Sequence, residues 1–182
     1  YNGICSNKKL SPAMDRSVRI RVADEVITFD DAIQGRYSQS LKNDVGDFVL
    51  RRRDQLFAYQ LAVVVDDAEQ AISEVVRGCD LLDSTPRQIW LHQALQQAVP
   101  SYMHIPILVN ELGEKLSKQT YAEAVNPEQH SHTLVQALRY LRQSPPLELS
   151  DMKTEDVWQW AIAHWQTETL KGCLTVPLDE RD

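Results

Sequence analysis

The sequence lacks any long apolar run. Its longest uninterrupted apolar stretch, residues 61–65, ends at Asp66, well short of the roughly 18 to 20 residues that a membrane-spanning helix needs. The first residues also lack the charged start and apolar centre of a signal peptide. We therefore expect a protein that has no membrane partner. Because the chain opens on Tyr1 rather than Met, we also expect that upstream residues are missing.

Cysteine is scarce and basic residues are in the minority. The three cysteines, Cys5, Cys79 and Cys173, lie far apart, and an odd, dispersed set disfavours a disulfide framework and favours a reducing cytoplasm. The formal net charge is −7, which argues against indiscriminate neutralisation of nucleic-acid phosphates. Arginines within residues 16–21 and 51–53 fit a local basic face or solvated strand edges equally well.

The first two thirds of the chain alternate strand and helix patterns. Strands are predicted where apolar and polar residues alternate or apolar residues cluster: 18–22, 26–29 as its neighbour, 47–50, 72–77 and 103–109. A helix is preferred over residues 56–71, although the β-branched run 63–65 also suits a strand. A second helix should run from residue 85 to about residue 97, with Thr85 as N-cap, Pro86 in its first position and Gln88 closing a capping box. Residues 30–44 are polar and should form a loop.

The last third of the chain has a helical pattern. Leu134, Leu138 and Leu141 predict an amphipathic helix that breaks before Pro145, and Thr154 should cap another helix. The apolar face predicted for this last helix comprises Val157, Trp158, Ala161, Ile162 and Trp165. Trp158 and Trp165 should therefore be core residues and Trp160 the more exposed. These patterns favour an α/β portion over residues 1–125 and a small helical appendage over residues 126–182.

A polar loop at residues 115–119 contains two lysines, in the order Lys-Leu-Ser-Lys-Gln. Mobile ammonium groups in such a loop can stabilise the negative charge that develops on a triphosphate during adenylate formation. The tetrapeptide alone is a weak signal, because any polar turn can contain it.

Three further segments precede this loop in a fixed order. They read Phe-Ala-Tyr-Gln-Leu-Ala-Val-Val-Val-Asp-Asp at 57–67, Val-Arg-Gly-Cys-Asp-Leu at 76–81 and Ser-Thr-Pro-Arg-Gln at 84–88. In order and spacing they resemble the catalytic domain of the class I glutamyl-tRNA synthetases. The resemblance implies an α/β, Rossmann-like catalytic domain, of which this chain is the C-terminal part. The family's first ATP-binding motif is absent from these residues, so the fragment alone should not activate glutamate.

The resemblance also implies roles for particular residues. Tyr59 matches a tyrosine that hydrogen-bonds the glutamate substrate, and Arg77 matches an arginine that binds its carboxylate. Lys118, with Lys115 as the weaker candidate, matches the lysines that act on the phosphates of ATP, which is used with Mg²⁺. Without the resemblance, Tyr59 would be interpreted as a core aromatic and Arg77 as a surface charge.

Two features resemble one branch of the family, the enzymes that attach glutamate to queuosine in tRNA-Asp. The loop ends in Lys118-Gln119, and the chain after it is too short for the large anticodon-binding region of the ordinary enzymes. For the full-length parent, this resemblance implies ATP-dependent activation of L-glutamate and its transfer to queuosine in the anticodon of tRNA-Asp.

The first five residues resemble half of a zinc site found in that branch. Tyr1 and Cys5 have the spacing Tyr-x-x-x-Cys, and the other half of the site is an upstream Cys-x-Cys. Zinc usually takes four ligands, so the resemblance implies a Zn²⁺ ion whose remaining donors lie outside these residues.

We expect the protein to be a monomer, and three alternative functions stay open. The chain could belong to a truncated or discriminating glutamyl-tRNA synthetase that charges tRNA-Glu. It could instead be a non-catalytic RNA-binding module derived from a synthetase. A metal hydrolase built on Glu128, His130 and His132 is the least favoured, because a His-x-His in a polar loop is more often solvated.

Overall fold

The computed structural model describes residues 16–116, 126 and 128–178. Its strands are β1 Val18–Ile20, β2 Val26–Asp31, β3 Gly35–Ser40, β4 Phe48–Arg51, β5 Glu74–Gly78, β6 Ser101–Ile105, β7 Ile107–Val109 and β8 Thr175–Pro177. Its α-helices are α1 Tyr59–Glu69, α2 Thr85–Ala94, α3 His130–Tyr140 and α4 Thr154–His164. None of the helices in these ranges is both long and apolar enough to cross a membrane.

The strands form three sheets. Strands β1 and β4 pair antiparallel, β7 and β8 pair parallel, and the four-stranded sheet has the order β3-β2-β6-β5. Strands β2 and β6 run parallel, with Asp31 opposite Tyr102. The predicted pairing of the first two strands is wrong, since β1 pairs with β4. Spacing in the sequence alone does not decide which strands pair: the Glu25 carbonyl before β2 accepts a hydrogen bond from Leu41 N, just after β3, at 2.9 Å.

Two strands were not predicted, and one predicted strand is divided. Strand β3 lies in a segment that was predicted as a loop; its polar side chains suit an outer strand of the sheet, where Ser38 Oγ lies 2.8 Å from Thr28 Oγ1. Strand β8 has only three residues, and its partner β7 is distant in the sequence. The single strand predicted over 103–109 is divided into β6 and β7 at Pro106, which has no backbone N–H to donate.

The chain divides into two compact units. The first unit holds residues 36–75, 81–102 and the described residues before 32; the second holds 32–35, 76–80 and the described residues after 102. The buried core of the first unit consists of Ile27, Leu41, Phe48, Val64, Ile89, Leu91 and Tyr102. The core of the second consists of Val135, Leu138, Leu149, Val157 and Ala161. The boundary predicted at 125/126 stays a prediction.

Both predicted N-caps are wrong by one position. Helix α2 begins at Thr85, whose hydroxyl donates back to Leu81 O at 3.4 Å instead of capping the helix. A 3-10 turn, Cys79–Ser84, runs directly into α2, so the first turn of the helix needs no separate cap. Pro86 does lie in the first turn, as predicted. Helix α4 likewise begins at Thr154, after an N-cap at Lys153.

The burial of the tryptophans in and after α4 is the reverse of the prediction. Trp158 is 53% exposed and Trp165 is 41% exposed. Trp160 is partly buried against the core of the second unit and stacks on His164, with ring centroids 4.7 Å apart. Val157, Trp160 and Ala161 form the inward stripe at steps of three and four residues, which is the periodicity of a helix face.

The second unit also contains an apolar groove of about 400 Å³. Val76, Met103 and Ile105 line one side, and residues of α3 and α4, including Leu134, Trp158 and Ile162, line the other. Of the strand residues, Val76 is 59% exposed. The exposed tryptophan and isoleucine of α4 therefore face this groove instead of a packed core.

Stability of the first unit should depend on pH through His92. This side chain is 1% exposed on α2, and neither ring nitrogen has a hydrogen-bond partner. Burial lowers the pKa of His92, and the Asp67 carboxylate partly opposes this effect. The unfolded chain then binds more protons below the ordinary histidine pKa of about 6.5, so stability is complete above that pH and falls as the pH drops through it.

We predict that His92→Leu stabilises the protein by on the order of 1 kcal/mol at pH 7.5, because a buried polar group without a partner is removed. The loss of stability between pH 7.5 and pH 5.5 should also become smaller. Urea unfolding at the two pH values measures both effects. The exposed His132→Leu is the matched control and should retain the original pH dependence. An equal pH dependence in the His92 variant would contradict the prediction.

Candidate active site

Arg77 is held by a buried histidine. It lies on β5 and is half-buried, and its Nε donates to Nε2 of His104 on the neighbouring strand β6 at 3.1 Å. His104 is completely buried, at 0% exposure. Nε2 is the acceptor in this contact, a role that an imidazole fills when it carries its proton on Nδ1. The contact fixes the direction of the guanidinium plane relative to the strand.

The backbone of His104 is itself anchored. The side-chain amide of Gln34 donates to the His104 carbonyl at 2.8 Å and to the Cys173 carbonyl at 2.9 Å. The Cys79 thiol lies 3.4 Å from the same His104 carbonyl oxygen. We call these four residues and Arg77 the buried polar cluster; all five lie in the second unit. Sequence reasoning identified Arg77 but missed the other four, because nothing in the local sequence marks them.

Lys115 forms an ion pair with a residue that follows β5. Its Nζ is 2.5 Å from Oδ2 of Asp80, which follows Arg77 by three residues. The turn before Lys115 is built by Asn110, whose Oδ1 accepts hydrogen bonds from the backbone N–H of Leu112 at 3.0 Å and of Glu114 at 2.8 Å. Two of the predicted site residues, Arg77 and Lys115, therefore both lie in the second unit, and Lys115 contacts the segment that directly follows β5.

Gly78 leaves room for the Asp80 carboxylate that pairs with Lys115. A Cβ at this position would lie 2.5 Å from Asp80 Oδ1 and 3.0 Å from Ile107 Cγ2. The first distance is shorter than any ordinary van der Waals contact, so a side chain would displace the carboxylate that holds Lys115. A side chain at position 78 therefore fits only if the Asp80 carboxylate moves and Ile107 gives way slightly.

Tyr59 lies in the first unit, at the first position of α1, with 51% of its surface exposed. It is therefore not the core aromatic that its sequence context would suggest. The next residue, Gln60, holds the start of α1 against α2. Its Nε2 donates to Ser84 Oγ at 3.0 Å, and its Oε1 accepts from Gln88 Nε2 at 2.8 Å. These contacts explain Gln88, which was predicted to close a capping box and instead connects α2 to α1.

A second set of polar side chains lies around the start of α2 in the first unit. The Tyr37 hydroxyl donates to Asp83 Oδ1 at 2.5 Å, and burial, followed by the hydrogen bond and charge of Asp83, raises the pKa of Tyr37 to about 12. Arg87 Nη2 donates to the Asp83 carbonyl and to Ser84 Oγ, both at 3.2 Å. Burial lowers the pKa of Arg87, and Asp83 opposes this effect. These contacts stabilise the segment 84–88 and supply no group for proton transfer near neutral pH.

The remaining predicted site residues lie outside the described ranges. They are Lys118 and the proposed zinc ligands Tyr1 and Cys5. Within the described part of the chain, no group of three or more histidine, cysteine or acidic side chains could hold a metal ion. Glu128, His130 and His132 line an open polar groove of about 760 Å³ but do not form such a group. These three residues therefore do not form the metal site on which the metal-hydrolase interpretation depends.

Comparisons with known proteins identify the family of the chain. The family model "tRNA synthetases class I (E and Q), catalytic domain" matches residues 6–143. The glutamyl-Q tRNA(Asp) synthetase of Dechloromonas aromatica is 52% identical over 165 residues, which cover 91% of this chain and 55% of the relative. The enzyme of the same name from Chromobacterium violaceum is 45% identical over 179 residues, covering 98% of this chain and 59% of the relative. The chain thus spans less than two thirds of the length of these relatives.

A solved structure supports the fold. The glutamate-tRNA synthetase of Elizabethkingia anophelis superposes with a TM-score of 0.68 at 19% identity, over 91% of this chain and 37% of that chain. The predicted α/β fold is confirmed, because the family model covers most of the chain and the structural match extends along nearly all of it. The chain belongs to the class I tRNA synthetase family of the E and Q enzymes, within its catalytic domain.

Proposed function

We propose that the full-length gene product carrying this chain activates L-glutamate with ATP and transfers it to queuosine in tRNA-Asp. The observation that carries the proposal is the half-buried Arg77, whose guanidinium is held in one direction by the buried His104. An arginine restrained in this way is suited to bind a carboxylate through two parallel hydrogen bonds. The choice of tRNA-Asp is supported by the names of relatives that are 44–52% identical.

In this proposal, binding and activation use different groups. Arg77 binds the carboxylate of glutamate, and the hydroxyl of the exposed Tyr59 donates a hydrogen bond to the substrate. In adenylate formation, a carboxylate oxygen attacks the α-phosphorus of ATP and pyrophosphate leaves. Lys118 and, to a lesser extent, Lys115 neutralise the charge that accumulates on the phosphates, with Mg²⁺. The chemistry depends on positioning and charge neutralisation more than on an acid or base in the protein.

The transfer of labelled glutamate tests the proposal. The full-length gene product is incubated with ATP and either tRNA-Asp that contains queuosine, tRNA-Asp that lacks it, or tRNA-Glu. We expect label only on the queuosine-containing tRNA-Asp. Label on tRNA-Glu would favour a truncated glutamyl-tRNA synthetase, and label on none of the three RNAs would favour the non-catalytic RNA-binding module. Size-exclusion chromatography of the same preparation tests the predicted monomer.

Substitution of Arg77 should chiefly weaken glutamate binding. We predict that Arg77→Ala raises the KM for glutamate by about 10- to 100-fold, the size expected for loss of a hydrogen-bonded charge pair, with little change in the KM for ATP. ATP–pyrophosphate exchange at varied glutamate measures both constants. Arg36→Ala, on the exposed face of β3, is the matched control. A changed KM for ATP with an unchanged KM for glutamate would contradict the assignment.

Substitution of Lys118 should slow activation itself. We predict that Lys118→Ala reduces the rate of adenylate formation by on the order of 100-fold, because one charge that stabilises the transition state is lost. Lys171→Ala provides the control, since Lys171 is exposed and pairs only locally with Glu168 at 2.6 Å. Single-turnover formation of glutamyl-adenylate is the measurement. An unchanged rate in the Lys118 variant would remove the phosphate role from the loop.

We also propose that Tyr1 and Cys5 bind one Zn²⁺ ion with two donors supplied by other residues of the full-length protein. The thiolate of Cys5 is a donor that zinc favours, and two residues alone do not complete its usual set of four ligands. We predict that Cys5→Ser lowers the zinc content of the purified protein well below one ion per chain. Cys79→Ser, in the buried polar cluster, is the control and should retain zinc. Equal zinc contents by elemental analysis would exclude Cys5 as a ligand.

A further inference from the structure

His104 is the one fully buried histidine in the described second unit that touches a proposed substrate-binding residue. Its side chain is 0% exposed, so it cannot contact a substrate through open surface. Its Nε2 accepts the hydrogen bond from Arg77 Nε at 3.1 Å, and its own carbonyl accepts from Gln34 at 2.8 Å. His104 is thus held at two points: its backbone carbonyl and the acceptor nitrogen of its ring.

We propose that His104 is the positioning residue for Arg77. The neutral imidazole holds the Nε–H of the guanidinium and thereby sets the direction in which Arg77 receives the carboxylate of glutamate. This inference rests on the proposed function, in which Arg77 binds that carboxylate. It adds a residue that acts on the substrate only through another side chain.

The physical reason is the flexibility of arginine. Its long side chain has many rotamers, and only those that present the guanidinium correctly can bind a carboxylate. If the competent rotamers are a small fraction of the population, the apparent dissociation constant rises by the inverse of that fraction. A buried acceptor beside Nε selects the competent rotamers before the substrate arrives. The strand geometry permits this contact, because β5 and β6 are neighbours in the sheet.

Gln34 extends the restraint. Its amide bridges the carbonyls of His104 and Cys173, at 2.8 Å and 2.9 Å. It thereby connects the strand that carries His104 to the chain segment just before β8. A histidine that merely filled the core would not need an acceptor nitrogen aimed at an arginine, and a leucine of similar volume could replace it.

The test compares three forms of the full-length gene product in ATP–pyrophosphate exchange: the unsubstituted protein, His104→Leu and His104→Gln. Leucine has no acceptor, whereas the Oε1 of glutamine can reach a position close to that of Nε2. We expect His104→Leu to raise the KM for glutamate by about tenfold, with the KM for ATP and kcat within about twofold. We expect His104→Gln to restore most of the affinity for glutamate.

His92→Leu is the matched control, because it also removes a fully buried histidine but lies on α2 in the first unit. It should leave the KM for glutamate unchanged. Equal values for the unsubstituted protein and His104→Leu, or equal losses in the leucine and glutamine variants, would overturn the positioning role. An unsubstituted protein that shows no glutamate-dependent exchange would overturn the proposed function and this inference with it.

A second measurement does not depend on activity or on folding of the leucine variant. In unsubstituted protein labelled with ¹⁵N at arginine and histidine, Arg77 Nε and His104 Nε2 should show a coupling across their hydrogen bond. In His104→Gln this coupling is lost, while the Nε–H of Arg77 should stay protected from solvent exchange. A missing coupling in the unsubstituted protein would overturn the inference even if glutamate is activated normally.

Discussion

The hydrogen bond from Arg77 to His104 is the contact on which the candidate site depends. It requires that β5 and β6 lie side by side, that the imidazole is neutral and that its backbone stays in place. The amide of Gln34 provides this last condition by binding the His104 carbonyl. A charged group is therefore positioned by neutral ones, which avoids burying a second charge beside the guanidinium.

The distribution of charge near this contact differs from that of the whole chain. The chain carries a formal net charge of −7, yet two of the candidate site residues in the second unit, Arg77 and Lys115, are cations. Asp80 compensates one of them through its ion pair with Lys115. Since both partners are partly exposed, at 49% and 31%, the ion pair positions the lysine more than it stabilises the fold.

The sequence predicted those parts of the fold in which local pattern and tertiary packing agree. Helices α1 and α3 follow from their apolar periodicity, and β4 and β5 follow from their short apolar runs. Strand β3 could not be predicted in this way, because its polar side chains are acceptable only at an outer position of the sheet. The tryptophans of α4 were placed on the wrong side because helical spacing alone does not say which stripe faces the core.

The candidate site likewise contains residues that local motifs predicted and contacts that no local pattern could predict. Tyr59, Arg77 and Lys115 were predicted from the order of motifs that resembles a known family, and their roles stay predictions. The contacts of Gln34 and His104 join residues that are 70 positions apart, and no local pattern predicts such a pair.

Gly78 has a consequence for how the gene can vary. Every amino acid other than glycine carries a Cβ, and at this position that atom would lie 2.5 Å from the carboxylate of Asp80. A missense change in codon 78 therefore acts on Lys115 indirectly, because the new side chain moves the carboxylate that pairs with it. In a library of random variants, effects at this codon should accordingly resemble those of changes at Asp80.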